Sequence, residues 1–181
     1  MNFQLLCSEL HDAAPSEKSL KELGLSDEEV QDFVSSFKVV QRNNDSPAVH
    51  SADIVQDFFT QYDPSALEVG MIKFLNMPKT IDSGRIIGKV EADPLVVEKS
   101  SGKVFVDDLS SPGNTLWECA KNAEQFLLTL VPAANYLGQC LVNDNMCTNK
   151  TLSKNILDEC VSIAGGRSYE PFFRMLLGIT D

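Results

Sequence analysis

Carboxylates are the side chains best placed to do chemistry in this chain. Asp107-Asp108 ends a β-rich run, and Glu91 and Asp93 stand just before the preceding one. Paired carboxylates can shuttle protons or hold a divalent ion. No regular ligand spacing accompanies these four, so an acidic turn at strand ends that serves structure or docking is the leading reading. Histidine is scarce: His11 and His50 lie in sequence flanks or loops, with no nucleophile-elbow motif beside either. The cysteines Cys7, Cys119, Cys140, Cys147 and Cys160 are odd in number, irregular in spacing and without a C-x-x-C pair. They read as reduced thiols, mostly small core hydrophobes, and they offer no zinc cluster. Neither G-x-x-x-x-G-K-[ST] nor G-x-G-x-x-G occurs. Gly165-Gly166-Arg167-Ser168 could form an anion nest, but a helix stop is the simpler reading. Catalytic, cofactor and metal sites are therefore all expected to be absent.

Charge points elsewhere. The 181 residues carry 15 basic and 26 acidic side chains, a net of −11. A field of that sign repels phosphate backbones and anionic lipid and favours a basic protein partner. Residues 1–63 hold 12 acids and 4 bases, net −8, and the remaining residues hold 14 and 11, net −3. Solvated helix faces account for such an excess, and so does an acidic docking surface. No basic n-region precedes the short apolar run Leu5-Leu6-Cys7, so a cytoplasmic location is expected. The stretch Phe126–Val142 is read as too short and too polar to span a bilayer.

The elements that position these groups follow from local signals. Ser26 and Glu29 form a capping box, with Leu25 and Val30 at the staple positions. Val30, Phe33, Val34 and Phe37 then repeat at helical spacing, which predicts a helix over 27–37. Asp27, Glu28 and Asp32 fall on its outer face. A short helix over 17–23 should precede it and stop at Gly24. After a loop at 38–50, Ser51 is expected to cap a helix through Ile54, Val55, Phe58, Phe59 and Tyr62 that ends at Asp63-Pro64.

The period then shortens. Met71–Leu75, Ile86–Val90, Leu95–Lys99 and Lys103–Asp107 read as strands. Gly102 takes a left-handed turn position between the last two. Pro78, Asp82-Ser83-Gly84 and Ser110-Ser111-Pro112-Gly113 read as turns. Helical spacing resumes at Trp117 and continues through Ala120, Ala123, Phe126, Leu127 and Leu130, with Pro132 expected to stop or kink it. Helices over 150–164 and around Phe172, Phe173, Leu176 and Leu177 complete the chain. The expected fold is α+β: a mixed, mainly antiparallel sheet flanked by helices in one domain. It divides into N-terminal helices 1–63, sheet core 64–110 and C-terminal helices 114–181.

The segment from Gly84 to Leu130, about a quarter of the chain, resembles the SUKH superfamily. The likeness rests on Ile86-Ile87-Gly88, on Asp93-Pro94-Leu95-Val96-Val97 and on Ser101-Gly102-Lys103-Val104-Phe105-Val106-Asp107, followed by Ala123-Glu124-Gln125-Phe126-Leu127. Gly88, Asp93, Gly102, Val104 and Phe126 match the family pattern as fold positions. The resemblance implies an α+β domain. Most bacterial members are immunity proteins that bind and neutralise a cognate toxin of a contact-dependent or polymorphic system. Many of those toxins act on nucleic acid, so a basic toxin surface is the expected partner, with no direct nucleic-acid or membrane contact and a monomer or weak dimer as the working form. The candidate contact residues are Asp27, Glu28 and Asp32 on the capped helix and Glu91, Asp93, Asp107 and Asp108 at the strand ends. A regulatory or scaffolding module of the same superfamily is the alternative, and an enzyme using Asp93, Asp107 and Asp108 is a third reading.

Overall fold

The computed structural model describes residues 1–43 and 53–180. Helix α1 spans Phe3–Asp12, α2 Glu17–Glu22 and α3 Asp27–Ser35. Both halves of the capping box on α3 are made: Glu29 N–H donates to Ser26 Oγ, and Ser26 N–H donates to Glu29 Oε2. Val30 is buried on its apolar face. The helix stops short of the expected 27–37, and Phe37, two residues past its end, is buried as well. Strand β1, Val40–Gln41, leads to the undescribed stretch; α4, Ile54–Gln61, runs directly into β2, Tyr62–Asp63. β1 and β2 pair antiparallel as a separate ribbon.

The main sheet has six strands in sequence order: β3 Glu68–Val69, β4 Ile72–Ile81, β5 Gly84–Val90, β6 Asp93–Glu98, β7 Val104–Asp107 and β8 Thr115–Ala120. Every pairing is antiparallel, so no parallel component occurs among the described residues. An antiparallel meander of this kind needs only short turns and can leave one face uncovered. Helix α5, Ala123–Val142, lies at the centre of the helical layer and meets α1, α4 and β8. Then come α6 Asp144–Thr148, α7 Lys150–Ala164, a single 3-10 turn over Arg167–Tyr169 and α8 Glu170–Leu177. One hydrophobic cluster joins all layers, from Leu6 and Leu10 through Phe58, Ile72, Leu95 and Val106 to Phe126, Phe172 and Phe173.

Several expectations change. Residues 3–12 form a helix, with Asn2 capping it and His11 in its last turn rather than in a loop. The loop expected over 38–50 is only partly described: Val40–Gln41 is a strand, and His50 lies outside the described residues. Ser51 also lies outside them, and α4 is capped by Asp53, whose side chain accepts from Gln56 N–H. The strand expected at Met71–Leu75 extends to Ile81 and carries Pro78 within it. Pro78 is no turn. It sits where the β4–β5 register shifts, between Phe74 and Lys79, and a bulge tolerates the missing N–H.

Trp117 and Ala120 belong to strand β8, opposite Val106 and Val104, so the sheet continues past 110 and the C-terminal helices begin at 123. Pro132 neither stops nor bounds α5. The carbonyl it deprives of a partner belongs to Leu128, on the helix's exposed side, while Phe126, Leu130 and Ala133 hold the buried side in place. At 20 residues, α5 is long and apolar enough for a bilayer span by length and composition, contrary to the reading from sequence; its other face is built into the core.

Candidate acidic interaction surface

The seven candidate carboxylates fall into two groups. Glu91, Asp93, Asp107 and Asp108 lie together at one end of the sheet. Leu95 opposes Val106, so the start of β6 and the end of β7 share that end, and Glu91 N–H donates to Met71 O in the turn beside it. Asp27, Glu28 and Asp32 are on α3. The end of that helix is tied to the sheet where Glu68 N–H donates to Ser36 O at 2.7 Å.

Their side chains are not equivalent. Asp93 Oδ1 accepts from Leu109 N–H at 3.0 Å, and Asp107 Oδ1 accepts from Gly113 N–H at 2.9 Å. Asp108 Oδ1 accepts from Ser110 N–H at 2.8 Å and Ser110 Oγ at 2.6 Å. These three carboxylates cap the loop that joins β7 to β8, a use that satisfies N–H groups no strand can reach. Asp27 is paired with Lys21 at 2.8 Å. Glu28, Asp32 and Glu91 are exposed and make no side-chain hydrogen bond or ion pair among the described residues. Glu91 is also the one described non-glycine residue at positive φ, 54°. It opens the two-residue turn between Val90 and Asp93, at a position where glycine is the usual occupant.

The Ser110 hydroxyl, together with the Ser110 and Ser111 N–H groups, holds the Asp108 carboxyl below its ordinary value of 3.8. Hydrogen bonds to the charged form have this sign. The stabilisation is therefore full above that value and is lost as pH falls through the lowered one. An NMR titration should show Asp108 and the Ser110 and Ser111 amides titrating together below 3.8. A midpoint at or above the ordinary value would contradict the capping role.

The thiols are subdued. Burial pushes Cys7 and Cys160 up to about 12, and burial is the largest influence raising Cys140 to about 11. Such groups stay protonated near neutral pH and are poor nucleophiles. Cys119 and Cys160 are core residues as expected, whereas Cys147 is exposed.

No family model matches the chain, and no curated protein or solved structure matches it significantly.

Proposed function

We propose that the chain is a non-catalytic immunity protein that neutralises a cognate toxin by stoichiometric binding, acting in the cytoplasm without metal or cofactor. Its acidic surface would dock on a basic toxin face, of the kind a toxin acting on nucleic acid presents to its substrate. The observation that carries this reading is that three of the candidate carboxylates are exposed and have no side-chain partner among the described residues: Glu28 and Asp32 on α3 and Glu91 at the sheet end. Among the described residues their side chains take no part in hydrogen bonding, and their charge is available to cations on another molecule. The strained backbone at Glu91 adds support, because positive φ at a bulky residue persists where something other than local preference selects it. Asp93, Asp107 and Asp108 act here through the loop they cap, which holds the sheet end in shape.

Two measurements test the proposal. Coexpression with the toxin encoded next to its gene should protect the cell; death despite accumulation of the soluble protein overturns the reading. Binding kinetics should separate the charges. Reversal at Glu28→Lys, Asp32→Lys and Glu91→Lys together is expected to slow association about ten-fold at low salt, with the difference shrinking as salt screens the field. Equal on-rates across a salt series would remove these residues from the interface.

A further inference from the structure

One cavity runs against the charge of the rest of the molecule. It has a volume of about 490 Å³ and lies between α7, the 3-10 turn and α8. Lys150, Lys154, Arg167 and Arg174 line it, against the carboxylates Asp158 and Glu170. In a chain with 15 bases and 26 acids, that is a local reversal of sign.

The four cations are not used alike. Glu170 is held between the two arginines, with Oε2 at 2.8 Å from Arg167 Nη1 and Oε1 at 2.9 Å from Arg174 Nε. Arg167 Nη1 also stands 3.0 Å from Asp158 Oδ1. Lys150 and Lys154, one turn apart on α7, make no ion pair or hydrogen bond through their side chains among the described residues. Two neighbouring ammonium groups carry six N–H donors, a number suited to the three oxygens of a phosphate rather than the two of a carboxylate. Asp158 Oδ1 is shut off from solvent and taken up by Arg167, so the cavity's inner carboxylate faces a protein cation and leaves the lysine end to an anion from outside. A second feature points to the rest of a ligand. Leu157 and Ile179 give the cavity apolar wall, and Tyr136 and Ser153, whose buried hydroxyls are hydrogen-bonded to each other at 2.9 Å, also line it.

We propose that this cavity binds a small phosphate ester, its phosphate on Lys150 and Lys154 and its organic part against Leu157 and Ile179. The volume lies in the range of ordinary small-molecule sites. The chain's net negative charge is no bar, because charges beyond about 8 Å are largely screened at physiological salt. The proposal is independent of toxin binding.

The test is calorimetric titration of the full chain with ribose 5-phosphate, ribose and inorganic phosphate. Ribose 5-phosphate is expected to saturate one site, more tightly than inorganic phosphate, and ribose to give no saturable heat. Lys150→Gln with Lys154→Gln should weaken binding of the ester about ten-fold or more. Thermal unfolding of that variant should match the parent, since both side chains are exposed. Lys79→Gln with Lys99→Gln, which removes the same charge elsewhere, should leave binding unchanged. Absence of a saturable site overturns the proposal. So does undiminished affinity in the α7 double variant, equal loss in the control variant, or inorganic phosphate binding as tightly as the ester.

Discussion

Gly88→Ala is expected to destabilise the protein by about 2–4 kcal/mol, a large share of a domain's stability. The cause is contact, not backbone conformation. Gly88 lies in β5, paired with Phe74 on one side and Leu95 on the other. A Cβ there would stand 2.4 Å from Lys73 O and 3.2 Å from Phe74 Cα. Both are backbone atoms of the neighbouring strand, so no rotamer change relieves the clash. The β4–β5 ladder must open locally, beside a point where both its pairings already shift register. Gly102 makes the control. It has φ 75° and nothing within 4 Å of a built Cβ, so Gly102→Ala should cost only the left-handed strain, about 1 kcal/mol. Urea unfolding of both variants checks the pair. A Gly88→Ala loss smaller than that of Gly102→Ala would show that the strand can yield after all.

The contrast between those glycines also shows what a sequence can disclose. Gly102 is legible because a turn is local: two β-branched runs with Ser100-Ser101-Gly102 between them define it. The box of Ser26 and Glu29 is legible for the same reason, and so is Gly165, which ends α7 in a left-handed cap. Gly88 stands out in the sequence only through the resemblance, because its need for a missing side chain arises from Lys73, which sequence patterning does not place beside it. Trp117 is another residue whose place is set by a distant strand. Trp117, Ala120 and Ala123 fit a helical period by spacing, but pairing with β7 claims the first two, and pairing is non-local. Pro132 failed in the opposite direction, since tertiary burial on one side of α5 outweighs one lost hydrogen bond.

The same divide runs through the candidate site. The carboxylates could be picked out by type, but not by employment. That Asp93 reaches Leu109 N–H, sixteen residues on, depends on a hairpin bringing strand ends together. That separates Asp93 from Glu91, which looked equivalent in sequence and makes no such bond. Lys150 and Arg174 were invisible as a group, because each alone reads as an ordinary solvated cation; only the packing of α8 on α7 gives them a common cavity.

Arg42→Met is expected to cost about 2–4 kcal/mol, by unpairing several acceptors at once. Arg42 Nε donates to Phe59 O and Tyr62 O, each at 3.1 Å, and Nη2 donates to Asn76 O and Asn76 Oδ1, each at 2.7 Å. Asp63 Oδ2 stands 3.7 Å from Nη2. One guanidinium thus fastens the end of α4 and the β1–β2 ribbon to the outer edge of β4. Among the described residues no strand pairs with that edge at Asn76, because β3 pairs only as far as Lys73. Methionine keeps most of the stem's packing and removes the fork, which isolates the hydrogen bonds. The amide of Arg42, which donates to Gln61 O at 2.8 Å, should exchange faster in the variant, and unfolding should occur at lower urea. Unchanged exchange there would mean that the ribbon is held by its own pairing. Arg42→Lys should recover less than half of the loss, because a lysine cannot serve acceptors on three elements with one planar group. The clamp also bears on the proposed docking. It sits between residues 1–63, which hold most of the net charge, and the sheet that carries Glu91. If both acidic groups meet one toxin, Arg42→Met should slow association even though it removes no carboxylate, and a normal on-rate would assign the contact to one group alone.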